Sequence, residues 1–203
     1  MFPLNLPNAL TVLRILAVPV LVVALVDETP NGDTIAAIVF ALAALTDGLD
    51  GYIARRRQEV TTFGKLMDPL ADKLLIVAAL VSLVSLDRIA AWVAMVIIAR
   101  ELAVTGLRGI AADRGIVLAA SRLGKAKTLL QVIAIFALIL LDPIPVWADV
   151  LLYIAVAVTL ISGADYFFGM RRHLGDEAVP AGTGRGTEDP GGATRPGTRA
   201  TRA

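Results

Sequence analysis

Cysteine is absent from the 203 residues, and histidine occurs once, as His173. Their scarcity excludes a disulfide framework, a thiolate nucleophile and a cysteine metal site, and leaves little room for imidazole chemistry. Charge is also sparse, at 18% of residues against about 25% in an ordinary soluble domain. Apolar residues fill the space: 57% of the chain is hydrophobic and the mean hydropathy is +0.74. A soluble enzyme of ordinary composition is therefore excluded, because a soluble core of this size needs a polar shell. Any metal is expected to be a hard cation held by carboxylates. The net charge of +1 says little until the charges are placed along the chain.

Six apolar segments emerge at membrane-spanning scale: 10–26, 34–52, 70–86, 90–108, 128–141 and 146–168. The fifth is short, so its helix is expected to begin nearer Lys125. Turn-forming clusters separate the segments, as at 29–33 and 142–145. Barrel strands would alternate over about ten residues, whereas 35–45 is apolar on every face. The expected fold is all-α: a polytopic membrane protein with six transmembrane helices and a short N-terminal interfacial segment over 1–8. No cleavable signal peptide is expected, because Pro7 and Asn8 precede the first apolar run without a small-residue cleavage pattern. Residues 1–174 form the expected membrane domain. From 175 to 203 the composition turns to Gly, Pro, Thr and Arg without apolar periodicity, which predicts a disordered cytoplasmic tail. Its Gly-Thr-Gly-Arg-Gly run lacks the strand and helix of a nucleotide loop.

Basic residues set the orientation. Turns 1, 3 and 5 contain Asp27, Glu28, Asp33, Asp87, Asp142 and Asp149 against the single Arg88. Turns 2 and 4 contain Arg55, Arg56, Arg57 and Lys65, then Arg108, Arg114, Arg122, Lys125 and Lys127. Both termini and the even turns are thus expected on the cytoplasmic side of the cell membrane.

Four carboxylates interrupt this pattern. Segment 2 ends in Thr46-Asp-Gly-Leu-Asp-Gly-Tyr-Ile-Ala-Arg55, and segment 3 begins with Gly64-Lys-Leu-Met-Asp-Pro-Leu-Ala-Asp-Lys73. Asp47 and Asp50 are spaced i, i+3 and Asp68 and Asp72 i, i+4, so each pair shares a helix face. At about 1.5 Å per residue Asp47, Asp50 and Asp72 lie roughly 20 to 24 Å from the outer ends of their segments, which puts all four within a turn or two of the cytoplasmic surface. A lone Asp there is ordinarily a helix-end carboxylate paired with Arg55 or Lys73. Four at one depth, each costing about 2.5 to 3.5 kcal/mol in mid-membrane, call for compensation. Two Mg²⁺ or Mn²⁺ ions would supply it. An ion-coupled carrier binding Na⁺ or H⁺ is the alternative, although the carboxylates lie near one surface and no repeated half is visible.

Basic groups gather beside this cluster. Arg108, Lys125 and Lys127, with Arg100 in the preceding helix, stand at the same level and suit a phosphorylated ligand, whereas Arg114 fits ordinary positive-inside charge. Two metals beside an anion pocket suggest phosphoryl-group transfer at a membrane surface.

The run from Asp47 to Arg55, followed by eight residues, Gly64, three residues, Asp68, three residues and Asp72, resembles the full signature of the CDP-alcohol phosphatidyltransferases. The resemblance implies a six-helix, homodimeric membrane enzyme that transfers a phosphatidyl group from CDP-diacylglycerol to an alcohol and releases CMP. It implies that Asp47, Asp50, Asp68 and Asp72 hold the two ions, with Asp72 as general base. Asn8, Thr11, Gly51, Arg55 and Thr61 would contact the CDP-diacylglycerol, with Arg14 close by. Residues 99–108, 124–128 and 162–166 resemble the phosphatidylglycerophosphate synthases within the family, so the likeness runs from Asn8 to about Arg172. That implies glycerol 3-phosphate as acceptor, its phosphate held by Arg100, Arg108, Lys125 and Lys127, unless Glu101 ties one of these down. Cardiolipin synthases, which use phosphatidylglycerol, and phosphatidylinositol-phosphate synthases share the fold and remain alternatives. Membrane lipids are expected around the protein, and no nucleic-acid partner is expected.

Overall fold

The computed structural model describes residues 6–27, 30–57, 62–113 and 122–177, excluding the side chains of 6–8, 47–57, 62–66, 68, 69, 122, 123, 125 and 170–177. Among these residues there are six helices and no strand: α1 Leu6–Val26, α2 Gly32–Arg57, α3 Thr62–Ser85, α4 Ala91–Asp113, α5 Arg122–Leu140 and α6 Val146–Glu177. Each contains one of the expected apolar segments or most of it. The ends differ. α1 begins at Leu6 and takes Pro7 and Asn8 into its first turn, where proline lacks only an N–H that the helix would leave unpaired anyway. α5 begins at Arg122, three residues before the expected Lys125. α6 runs through Gly175 to Glu177, so a boundary at 174/175 falls inside a helix.

The turns follow from local chemistry. Asn31 enters α2 with φ 63°, a left-handed conformation that asparagine tolerates, and its carbonyl accepts the Ile35 N–H at 3.0 Å. At the end of α3, Asp87 has φ 54°; its N–H donates to the Val84 carbonyl and the Arg88 N–H to the Leu83 carbonyl. These two bonds make a Schellman cap with aspartate in the usual glycine position. The cap swings Arg88 across the bundle. Its guanidinium donates to Asp33 at 2.6 Å, to Asp142 at 3.2 Å and to the carbonyls of Leu138 and Ile139 at 3.3 and 2.9 Å. One side chain thereby joins turns 1, 3 and 5 and satisfies two terminal carbonyls of α5.

α1 packs on α2 and α3, α6 packs on α4 and α5, and the two groups meet where α2 touches α5 and α3 touches α4. The core has Leu21, Phe40, Leu80, Leu83, Ile97, Ile135 and Leu138 fully enclosed, with Ala36, Ala79, Ala134 and Ala148 in the same cluster. Small residues at these crossings let helix backbones approach closely. The outward faces are apolar too: Leu13, Leu16, Val20 and Val23 on α1, and Ile35, Ile38, Leu42 and Leu45 on α2, follow a 3-4-3 spacing and are exposed. Apolar surface this extensive marks contact with lipid or protein. By length and composition, Ala9–Val26 and Val146–Gly169 suffice to cross a membrane; the apolar stretches Gly32–Thr46 and Ala126–Leu140 are shorter, because charged residues occupy one end of their helices.

Candidate active site

α2, α3, α4 and α5, with Arg14 of α1 and Tyr166 of α6, line a cavity of about 900 Å³. Polarity changes along three walls: from Asp72 to Ile76 on α3, from Arg108 back to Ile97 on α4, and from Lys127 to Phe136 on α5. One end is therefore charged and the other aliphatic and aromatic. Among the described lining residues, Arg14, Lys73, Arg100, Arg108 and Lys127 outnumber Asp72 and Glu101, an imbalance that favours an anionic ligand.

At the charged end Arg14 Nη1 donates to Asp72 Oδ1 at 2.5 Å. The Arg14 side chain is 1% exposed and that of Asp72 38%, so α1 buries a guanidinium whose charge is balanced by a carboxylate on the cavity wall. Asp72 thus pairs with Arg14 of α1, 58 positions away in sequence. A carboxylate is a hard oxygen donor of the kind Mg²⁺ and Mn²⁺ prefer, so the donor chemistry fits the expected cations. Asp47 and Asp50 lie on the last turns of α2 and Asp68 on α3, with their side chains outside the described set. Among the described residues no three carboxylate or imidazole groups gather at one point.

Glu101 is the hub of the opposite wall. Its Oε1 accepts from Lys127 Nζ and, at 3.2 Å, from Arg100 Nη1. Arg100 is committed further: Nε donates to the Thr159 carbonyl at 3.1 Å and Nη2 to Ser162 Oγ at 2.7 Å. Gly163 makes this crossing possible, since a Cβ there would stand 3.2 Å from Arg100 Cγ. Arg100 consequently binds α4 to α6, and its guanidinium is largely occupied by protein groups. Arg108 is more exposed; it donates to the Tyr166 hydroxyl, and its guanidinium carbon lies 4.7 Å from that ring's centroid.

Of the residues singled out by sequence, Asp72, Arg100, Arg108 and Lys127 line this one cavity together with Arg14. Thr11 is buried on α1, one turn before Arg14. Thr61 lies outside the described residues, as do the side chains of Asn8, Gly51, Arg55 and Lys125. The sequence reading assigned no role to Tyr166 or Gln131, both of which line the cavity. A signal was present: Thr159, Ser162 and Tyr166 are polar positions at helical spacing on apolar α6, and Gln131 follows Lys127 at i+4 on α5.

A helical bundle whose charged cavity lies beside this aspartate signature defines a class. The sequence matches the CDP-alcohol phosphatidyltransferase family over residues 4–161, and the chain belongs to that family of enzymes. It is 45% identical over 181 residues to the CDP-diacylglycerol–glycerol-3-phosphate 3-phosphatidyltransferase of Bacillus subtilis (strain 168), covering 80% of this chain and 93% of that one. A protein of the same name from Rickettsia felis is 38% identical over 176 residues, covering 84% and 97%. A Mycobacterium tuberculosis (strain H37Rv) protein named "Probable phosphatidylglycerophosphate synthase" is 41% identical over 176 residues, covering 84% of each.

Proposed function

We propose that this chain transfers the phosphatidyl group of CDP-diacylglycerol to sn-glycerol 3-phosphate, forming phosphatidylglycerophosphate and CMP in phospholipid synthesis. Family membership and the names of its relatives support the reaction. The observation that carries the assignment to this site is the meeting of signature Asp72 with Arg108 and Lys127 in one cavity.

The primary hydroxyl of glycerol 3-phosphate attacks the phosphorus that bears the diacylglycerol. A new P–O bond forms as the bond to the CMP phosphate breaks, and Asp72 takes the hydroxyl proton. Arg14 keeps Asp72 oriented. Arg108 and Lys127, with Lys125 nearby in sequence, hold the acceptor phosphate, while Arg100 positions Glu101 and α6. Asn8, Thr11, Gly51, Arg55 and Thr61 contact the liponucleotide. Two Mg²⁺ or Mn²⁺ ions, held by Asp47, Asp50, Asp68 and Asp72, would neutralise diphosphate charge and favour loss of the hydroxyl proton when bound. The apolar end of the cavity suits the adjoining lipid, so the acyl chains stay in the bilayer throughout.

All six helices cross the membrane in this reading, with the charged site and both termini on the cytoplasmic side of a homodimer. The outward apolar faces of the helices support the crossing, as do Ala9–Val26 and Val146–Gly169, which are apolar over the roughly 20 residues that span the hydrocarbon core. The test is CMP release by purified protein given CDP-diacylglycerol with glycerol 3-phosphate, inositol phosphate, serine or phosphatidylglycerol in turn. Release with glycerol 3-phosphate, lost on chelation and restored by Mg²⁺ or Mn²⁺, is the expected result. Transfer confined to phosphatidylglycerol would make the protein a cardiolipin synthase, and transfer confined to inositol phosphate a phosphatidylinositol-phosphate synthase. Absence of any transfer, with cation-driven solute uptake in liposomes, would make it a carrier.

A further inference from the structure

Building on the reaction proposed above, the acceptor brings two hydroxyls as well as a phosphate. The charged groups account for the phosphate and for the reacting hydroxyl. The second hydroxyl calls for a neutral hydrogen-bonding partner, and among the described residues four side chains of that type line the cavity: Thr105, Thr128, Gln131 and Tyr166. Three are engaged. Thr105 Oγ1 donates to the Glu101 carbonyl at 2.7 Å, Thr128 Oγ1 donates to the Gly124 carbonyl at 3.1 Å, and the Tyr166 hydroxyl accepts from Arg108.

Gln131 differs. It is 3% exposed, and its Oε1 is enclosed with no hydrogen-bond partner. Buried acceptors are almost always paired, so one left unpaired beside a cavity with a charged end points to a group that arrives with a ligand. A terminal amide has an acceptor at one end and a donor at the other, and a half-turn of its last torsion exchanges them within the same volume. Gln131 also lies four residues beyond Lys127 on the same face of α5, about 6 Å further along the helix. A glycerol phosphate can bridge that interval, with its phosphate toward Lys127 and its carbon chain toward Gln131.

We propose that Gln131 hydrogen-bonds the non-reacting C2 hydroxyl of the acceptor and so selects a polyol phosphate over a simple hydroxyalkyl phosphate. The probe is 3-hydroxypropyl phosphate, which keeps the phosphate and the primary hydroxyl of glycerol 3-phosphate but lacks the C2 hydroxyl. CMP release is measured with both acceptors for the wild type, Gln131→Met and Gln131→Leu. The wild type is expected to favour glycerol 3-phosphate by about tenfold or more in kcat/KM, the loss expected when a buried polar group is left unpaired. Both variants should compress that preference below about threefold, losing rate on glycerol 3-phosphate while retaining it on the deoxy acceptor, with KM for CDP-diacylglycerol unmoved. A parallel fall on both acceptors, as a structural or water-binding role would give, overturns the proposal. Equal use of both acceptors by the wild type overturns it without recourse to a variant. If the wild type uses neither acceptor, the reaction assigned above fails, and this proposal fails with it.

Discussion

Replacing Glu101 by glutamine removes the one carboxylate that, among the described residues, pairs with both Arg100 and Lys127. Lys127 is 4% exposed, Arg100 10% and Glu101 22%, and both cations converge on Oε1. Removing one partner from a buried pair costs about 3 to 5 kcal/mol. The cost falls below that range, because Arg100 keeps its bonds to Thr159 and Ser162 and Glu101 is partly hydrated. A loss of about 2 to 3 kcal/mol is therefore expected for Glu101→Gln. If Glu101 serves as the counter-ion of Arg100 and Lys127, a bound phosphate should replace part of its charge. Ligand at one hundred times its Kd stabilises a folded state by about 2.7 kcal/mol, and the gain should be larger for the variant, whose cations are less neutralised. The assay is unfolding in detergent micelles with and without glycerol 3-phosphate at constant ionic strength, since salt screens exposed charges. The gap between variant and wild type should narrow as ligand is added. A gap that widens would show that Glu101 itself helps bind the ligand, and a gap absent throughout would refute the counter-ion argument.

Three further outcomes follow from the same geometry. Asp72→Asn should lower transfer by about 10²-fold to 10⁴-fold, the usual range for loss of a general base, while CDP-diacylglycerol binding persists; near-normal turnover would remove Asp72 from that role. Lys127→Ala should raise KM for glycerol 3-phosphate by about tenfold or more, as loss of a charged hydrogen bond predicts, and affect KM for the liponucleotide far less. Equal effects on both substrates would indicate a general electrostatic role. Arg88→Met should cost about 1 to 3 kcal/mol of stability, discounted because Asp33 and Asp142 are 32% and 64% exposed, yet leave kcat/KM of the folded fraction unchanged. Unfolding midpoints and specific activity measured on one preparation separate these two effects.

The helices were legible because an apolar segment announces itself in a window of about twenty residues. The carboxylate spacing was legible for a related reason: i, i+3 and i, i+4 positions share a face on any α-helix, whichever neighbours it later acquires. Helix ends were harder to read. Pro7 looked like part of a preceding segment yet occupies the first turn of α1, and Gly175 looked like the start of a tail yet lies within α6. Both residues are tolerated at helix termini, so composition changed there before the backbone did.

Cation pairing belonged to the tertiary structure. The basic residues could be counted and assigned to turns, but sequence could not tell which were committed to protein groups. Arg14 finds Asp72 58 positions away, Arg100 reaches Ser162 across 62, and Arg88 reaches Asp33 across 55 and Asp142 across 54. Such partners depend on which helices become neighbours, and that is decided by small residues and side-chain packing along whole helix faces. The sequence by itself determined the six helices, the carboxylate signature that marks the family, and the gathering of basic residues at the level of those carboxylates, since these rest on local periodicity and composition. Only the tertiary structure decided that Arg100 fastens α4 to α6, that Arg88 ties the turns at the far end, and that Gln131 faces the cavity with its acceptor unpaired, because each depends on how the helices pack.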